Sequence, residues 1–294
     1  EKFAEWWPAT YHLIGKDILT THTVYWPTML KAMGVEMPRT IFAHGWWLVG
    51  RDKMSKSRGN VVNPMDVIDM YGVDAFRYFI MAEMTLGQDA SFTEEIFINR
   101  YNAELANDLG NLVNRVLKMI RRHTNGCIPE PSERTEDEAE LVEATLSSVK
   151  DMEEHIHNMQ IDRGLAEVMN AVRACNRYFE NTAPWTLAKN QNYEALNRVL
   201  YNAAECLRVI SGLLFPVMPG KMAELRSALG LPDSEIKPKL GRLADWGELR
   251  PGTEINVVKS LFPRIENKKD KSDSQAEQTK AKAASVESSG KNKK

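Results

Sequence analysis

Two stretches of this chain leave their folding little choice. From Asp162, apolar side chains recur at Leu165, Val168, Met169, Val172, Cys175 and Phe179, and from Asn192 at Leu196, Val199, Leu200, Ala203, Leu207, Ile210 and Leu214. Steps of three and four put each set on one helix face, and such a stripe is stable only when packed against another. Thr93 followed by Glu94 and Glu95 starts a further long helix ending near Gly126, and Thr135-x-x-Glu138 has capping-box spacing for one reaching about Asn158. Four amphipathic helices with short links predict a bundle.

The first 60 residues have another rhythm. Thr10 to Gly15 and Thr40 to Gly45 read as short buried strands ending in glycine turns, and Asp17 to Met33 carries a helical pattern that Pro27 interrupts. Strand, helix, strand implies a parallel unit, with ligands at the carboxyl ends of the strands. Asn63-Pro64 followed by Asp66 starts the next helix, and Asp74 is expected to cap another through Met84. The fold class expected is α/β and then all-α: an α/β part over residues 1–90 and a helix bundle over 91–266. Residues 267–294, rich in Lys, Ser, Ala, Glu and Gln, read as a disordered tail.

Composition excludes several classes of function. The formal net charge of -2 gives no global pull towards polyanions, so a nucleic acid would need a local patch. Cys127, Cys175 and Cys206 stand far apart with no CxxC pairing, which predicts no zinc ligands and no disulfide framework and fits a cytoplasmic chain. No apolar run approaches the ~20 residues a spanning helix needs, so no membrane partner is expected. The chain opens at Glu1 in mid-pattern, which reads as a piece of a longer protein.

Lys53-Met54-Ser55-Lys56-Ser57-Arg58-Gly59-Asn60 lies between the second strand and the Asn63-Pro64 helix start. Two lysines three apart, flanked by hydroxyls and glycine, suit a triphosphate, because attack at the α-phosphate builds charge on the departing pyrophosphate. A Lys-x-x-Lys run by itself describes a solvated surface loop equally well. All five letters of Lys53 to Ser57, with the Arg-Gly-Asn-Val-Val continuation, resemble the KMSKS signature of class I aminoacyl-tRNA synthetases. The resemblance implies a Rossmann-like catalytic domain ending near residue 90. It also implies that Lys56 is the principal stabiliser of the adenylation transition state, with Lys53 assisting and Ser55 also at the ATP.

Two further segments resemble the methionine-specific members of that class. His12 to Ile18, His22 and Tyr25-Trp26-Pro27 look like their strand and helix after the connective insertion; the resemblance implies Gly15 and Asp17 at the ATP ribose and Ile18 and His22 in a methionine pocket. A carboxylate can accept from both ribose hydroxyls, and an aliphatic wall with an imidazole suits a thioether. Asp17 also reads as a helix cap and His22 as a core histidine. Trp6-Trp7-Pro8-Ala9-Thr10 departs from the family, which commonly has an acidic residue where Thr10 stands, and is assigned no role.

Asn111 and Arg115 share one helix face, and Ala183-Pro184-Trp185 follows the Asp162 helix. From spacing alone these are exposed helix polars and a packed indole. They also resemble the anticodon-binding helices of the methionine enzymes, which implies that Trp185, next to Pro184, stacks on the anticodon while Asn111 and Arg115 hydrogen-bond its first cytosine. The resemblance covers residues 1 to about 265.

The HIGH signature of the class is absent, since His12 lies in His-Leu-Ile-Gly. The implied reaction joins L-methionine to tRNA(Met) through methionyl-adenylate with ATP and Mg2+, and the isolated chain is expected to be inactive. Many family members continue into an oligonucleotide-binding domain that also makes them homodimers, and the Lys-rich residues after Asn267 resemble the linker to one. A non-catalytic tRNA-binding relic of a synthetase is the alternative from another class, and another amino acid specificity the alternative within this one.

Overall fold

A computed structural model describes residues 2–50, 52–54 and 59–266. The KMSKS residues Ser55 and Lys56, and the whole segment 267–294, lie outside the described residues.

The first part begins with α1 (Lys2–Trp6) and β1 (Tyr11–Gly15), which pairs in parallel with β2 (Thr40–His44) in a register running from Tyr11 opposite Thr40 to Gly15 opposite His44. The crossover between them is helical as far as Ala32, through a 3-10 turn at Lys16–Ile18, a π turn at Thr21–Tyr25 and α2 (Trp26–Ala32), and then runs irregularly to β2. Pro27 does not break this helix, contrary to expectation. The chain widens into the π turn just before it, so the proline ring falls in the first turn of α2, where a missing N–H costs little. β3 (Trp47–Val49) then pairs antiparallel with β4 (Asp52–Lys53) and parallel with β5 (Ala90–Ser91). Parallel sheets are ordinarily covered on both faces, yet Leu13 of β1 is 59% exposed, and Val24, Tyr25 and Met29 of the crossover are exposed as well.

Asn63 caps α3 (Pro64–Tyr71) by accepting from the Met65 N–H at 3.2 Å. The next helix, α4 (Val73–Glu83), corrects the expectation for Asp74, because its N-cap is Gly72 at φ +88°. Asp74 is instead buried inside the first turn and accepts from the backbone N–H of Lys221, capping α11 (Pro219–Ala228), a helix 147 residues further along. Arg77, also on α4, donates to the carbonyls of Pro216 and Val217, both at 2.8 Å. The α/β part is thus fastened to the bundle by a carboxylate at one helix start and a guanidinium at the preceding turn.

Thr93 caps α5 (Glu94–Arg100), which runs through a wide π segment at Tyr101–Gly110 into α6 (Asn111–His123) without a break. α7 (Glu136–His157), α8 (Ile161–Thr182) and α10 (Tyr193–Leu214) complete the bundle, with the short α9 (Pro184–Lys189) between the last two. The apolar stripes named above are its core: Leu165, Val168, Met169, Val172, Cys175 and Phe179 are buried, as are Leu196 through Leu214 on their common face. Asp162 does not cap α8; Gln160 holds that position, and Asp162 accepts from Thr85 Oγ1 at 2.7 Å. From Tyr201 to Leu214 every residue of α10 is buried, so this helix is the centre of the bundle. Beyond α11 and α12 (Asp233–Ile236), the chain wraps back until Asn102 binds Ile265 through both its amide oxygen and its amide nitrogen.

Candidate functional site

The carboxyl ends of the two parallel strands meet at Gly15. A β-carbon placed there would lie 2.5 Å from Asp17 Oδ1 and 3.9 Å from His44 Cε1, so the Asp17 carboxylate lies across a glycine that no other residue could replace without moving it. Ile18 and His22 follow one turn apart. The His22 Nδ1 stands 3.0 Å from the Ile18 carbonyl oxygen and must carry a proton there, since a carbonyl only accepts; in the neutral ring Nε2 is then an acceptor. The His22 ring lies 6.3 Å from that of His12, whose Nε2 accepts from Trp26 Nε1 at 3.2 Å. Gly15, Asp17, Ile18 and His22 are therefore brought together on one strand end and the turn after it, with Ile18 42% exposed.

Lys53 reaches the same region through a residue that sequence reasoning missed. Its Nζ lies 3.9 Å from the centroid of the Trp46 ring, and Lys16 Nζ lies 4.1 Å from that centroid. Lys16 also pairs with Asp89 at 2.6 Å, and Asp89 accepts from the Trp46 backbone N–H at 2.8 Å. Lys16 and that N–H hold the Asp89 carboxyl below its ordinary range. Gly45 makes this junction possible: a β-carbon there would stand 1.9 Å from the Gln88 carbonyl oxygen, inside backbone that cannot yield. Because Lys16 sits between Gly15 and Asp17, the indole joins Lys53 to the strand end that carries them.

The second constellation lies where α6, α8 and α9 converge. Arg115 pairs with Glu180 at 2.7 Å, and its guanidinium carbon lies 5.1 Å from the Phe179 ring centroid and 5.5 Å from that of Trp185. The two rings are 6.4 Å apart and steeply inclined. Ala183, at φ +42°, turns the chain between the helices, and buried Pro184 starts α9, so Trp185 emerges 45% exposed. Asn111 stands one turn before Arg115, exposed, and its side chain makes no hydrogen bond among the described residues. The structure thus brings Arg115, Pro184 and Trp185 together with Asn111 beside them. Phe179 and Glu180 were missed; Phe179 reads from its spacing as core, which it also is.

Comparison with known proteins bears on both constellations. The family described as tRNA synthetases class I (M) matches residues 1–117, and the family described as the anticodon binding domain of methionyl tRNA ligase matches residues 128–282. The methionine–tRNA ligase of Caldanaerobacter subterraneus subsp. tengcongensis is 40% identical over 92% of this chain, and that of Listeria monocytogenes serotype 4b is 41% identical over 90%. The chain spans only 42% and 40% of those two proteins. The crystal structure of Mycobacterium tuberculosis methionyl-tRNA synthetase bound by methionyl-adenylate superposes with a TM-score of 0.83 at 35% identity, over 90% of this chain and 52% of that one. Among the described residues no helix is long and apolar enough to cross a membrane.

Proposed function

This chain belongs to the methionyl-tRNA ligase family, and from that membership we propose that it supplies a methionine–tRNA ligase with its lysine loop and its anticodon clamp. The observation that carries the reading is the half-exposed Trp185 indole beside the Arg115 guanidinium, with an uncommitted Asn111 amide one turn away. An unstacked base can lie on the indole while the amide and guanidinium N–H groups address the acceptor edge of a cytosine. The ion pair to Glu180 and the contact with Phe179 hold the guanidinium in place before RNA arrives.

At the other site the methionine carboxylate attacks the α-phosphate of ATP and pyrophosphate departs; a tRNA hydroxyl then attacks the acyl carbon of the adenylate, taking the methionyl group as AMP leaves. Magnesium enters with the nucleotide as part of the substrate. Asp17 accepts from the ribose hydroxyls across Gly15, Ile18 and His22 border the thioether, and Lys53 with Lys56 takes up the charge growing on pyrophosphate. The Mycobacterium tuberculosis relative, solved with methionyl-adenylate, supports this assignment of substrates.

The chain spans about two fifths of its relatives and carries no HIGH signature, so the activity is proposed for a protein of their length. The 294-residue chain is expected to show no methionine-dependent ATP–pyrophosphate exchange, and robust exchange would overturn this placement of the catalytic site. It is expected to bind an RNA hairpin bearing a methionine anticodon. Trp185→Ala should weaken that binding by roughly 5- to 150-fold, the equivalent of ~1 to 3 kcal/mol of stacking. Unchanged binding would remove the clamp.

A further inference from the structure

The bundle buries two arginines for which neither site has a use. Arg208 on α10 pairs with Glu205 at 2.7 Å and donates to the carbonyls of Arg242 and Asp245. Glu205 is otherwise taken up by the backbone N–H groups of Gly247, Glu248 and Leu249. Arg226 on α11, 4% exposed, is different. It donates Nε and Nη2 to the Glu235 carbonyl, and Nη1 to the Arg208 carbonyl and Ser211 Oγ. All these partners are neutral, and Arg226 makes no ion pair among the described residues. A buried cation with no directly paired carboxylate is costly, and the Glu235 and Glu205 charges act on this one only from further off. Burial and the neighbouring Arg208 charge pull the Arg226 guanidinium down to about 10.

Both guanidiniums border one cavity of about 210 Å³, which Lys237, Lys239 and Arg242 also line. Its lining carboxylates are Glu235 and Glu248. Glu248 is bound by Arg242, and Glu235 lies 3.8 Å from Arg242 and from Arg250. Five lining cations, less these two and less Glu205 behind Arg208, leave a surplus of two positive charges. A guanidinium has five N–H donors. Arg226 spends four, so one on Nη2 is left over. The cavity is smaller than the roughly 300 Å³ at which pockets for drug-sized ligands begin, which selects a compact anion. Lys237 and Lys239 make no ion pair among the described residues.

We propose that this cavity binds a phosphoryl group, with Arg226 supplying the buried charge and Lys237 and Lys239 supplying charge at the rim. The test titrates the whole chain with inorganic phosphate, with pyrophosphate, and with a short single-stranded oligoribonucleotide at fixed ionic strength. The Trp185→Ala background keeps the anticodon clamp out of the reading. Binding of either free anion, weakened tenfold or more by the rim variant Lys237→Glu/Lys239→Glu, identifies a small phosphate. If only the oligoribonucleotide binds, and the rim variant lowers its salt slope by about 1.4 at ~0.7 per contact, the phosphate is that of an RNA backbone. Arg226→Lys keeps the charge but loses the planar fork and should weaken either ligand in the same way. If neither the anions nor the oligoribonucleotide responds to the rim variant, which touches no buried group, the proposal is overturned.

Discussion

Replacing Glu138 with alanine should cost the bundle far more than its place at a helix start suggests. Its carboxylate is 1% exposed and accepts from the Thr135 N–H and the Tyr178 hydroxyl, both at 2.7 Å, and from the Thr135 hydroxyl. Arg198 of α10 stands 3.2 Å away as an ion pair rather than a well-directed hydrogen bond. One side chain therefore caps α7, holds the last turns of α8 next to Phe179, and touches the central helix. Alanine would strand the buried Tyr178 hydroxyl at ~1 to 3 kcal/mol, and would open the cap of α7 at exposed Thr135 at ~0.5 to 2 kcal/mol. Arg198, about one fifth exposed, can recover water. The expected loss is about 3 kcal/mol, a hundredfold or so in the folded-to-unfolded ratio. Urea unfolding followed by helical circular dichroism measures it, and Tyr178→Phe closes a double-mutant cycle in which the combined loss should fall short of the sum. The pH dependence has a definite sign. Burial raises the Glu138 carboxyl, but the hydrogen bonds from Thr135 and Tyr178 and the Arg198 charge outweigh it, so the group titrates below its ordinary 4.5. Its contribution is therefore whole above about pH 4.5 and fades as the pH falls through the folded-state value. A loss under about 1 kcal/mol at pH 7, or strict additivity with Tyr178→Phe, would refute the reasoning.

Other perturbations test the remaining joints. Gly45→Ala drives a methyl into the Gln88 carbonyl and should destabilise the Trp46–Asp89 junction by at least ~2 kcal/mol, read from tryptophan emission on unfolding; an unmoved midpoint would contradict the contact. Asp74→Ala removes the cap of α11 and should cost ~0.5 to 2 kcal/mol in urea, and Asp74→Asn should recover much of it if capping is the cause. In a complete enzyme, Lys56→Ala should lower kcat for adenylation roughly 100- to 1000-fold with methionine KM little changed. Equal losses in both would mean that the lysine acts on the ground state.

What could be read in advance divides by sequence distance. Helix starts at Asn63, Thr93, Thr135 and Asn192 were legible because a cap and its N–H lie two or three residues apart. The α8 and α10 stripes were legible because periodicity repeats within one element. Asp74 misled for the same reason inverted: it sits where a cap should, but Gly72 takes the entry turn at positive φ and frees the carboxylate for a helix that enters 147 residues later. No local pattern holds that information.

The candidate sites divide in the same way. Gly15, Asp17, Ile18 and His22 are neighbours in the chain, so their convergence needed only the strand end. Lys53 needed Trp46, Lys16 and Asp89, assembled across up to 73 residues by a glycine that lets two backbones touch. Arg115 shows most clearly what spacing leaves out. Its distance from Asn111 predicts a shared helix face and nothing about charge; an arginine there would be an ordinary solvated cation. The left-handed turn at Ala183 brings Trp185 back over α6 within 5.5 Å of that guanidinium, and Phe179, one turn before the α8 end, closes beneath it. Only then is the cation held by rings and a carboxylate rather than by water, while the Trp185 indole stays 45% exposed. If that turn sets the clamp, Ala183→Gly, which keeps positive φ available, should leave hairpin binding nearly intact. Ala183→Val, which a β-branched side chain makes strained there, should weaken it while Arg115 and Trp185 are still present. Equal binding by both variants would mean that the rings find their places without the turn.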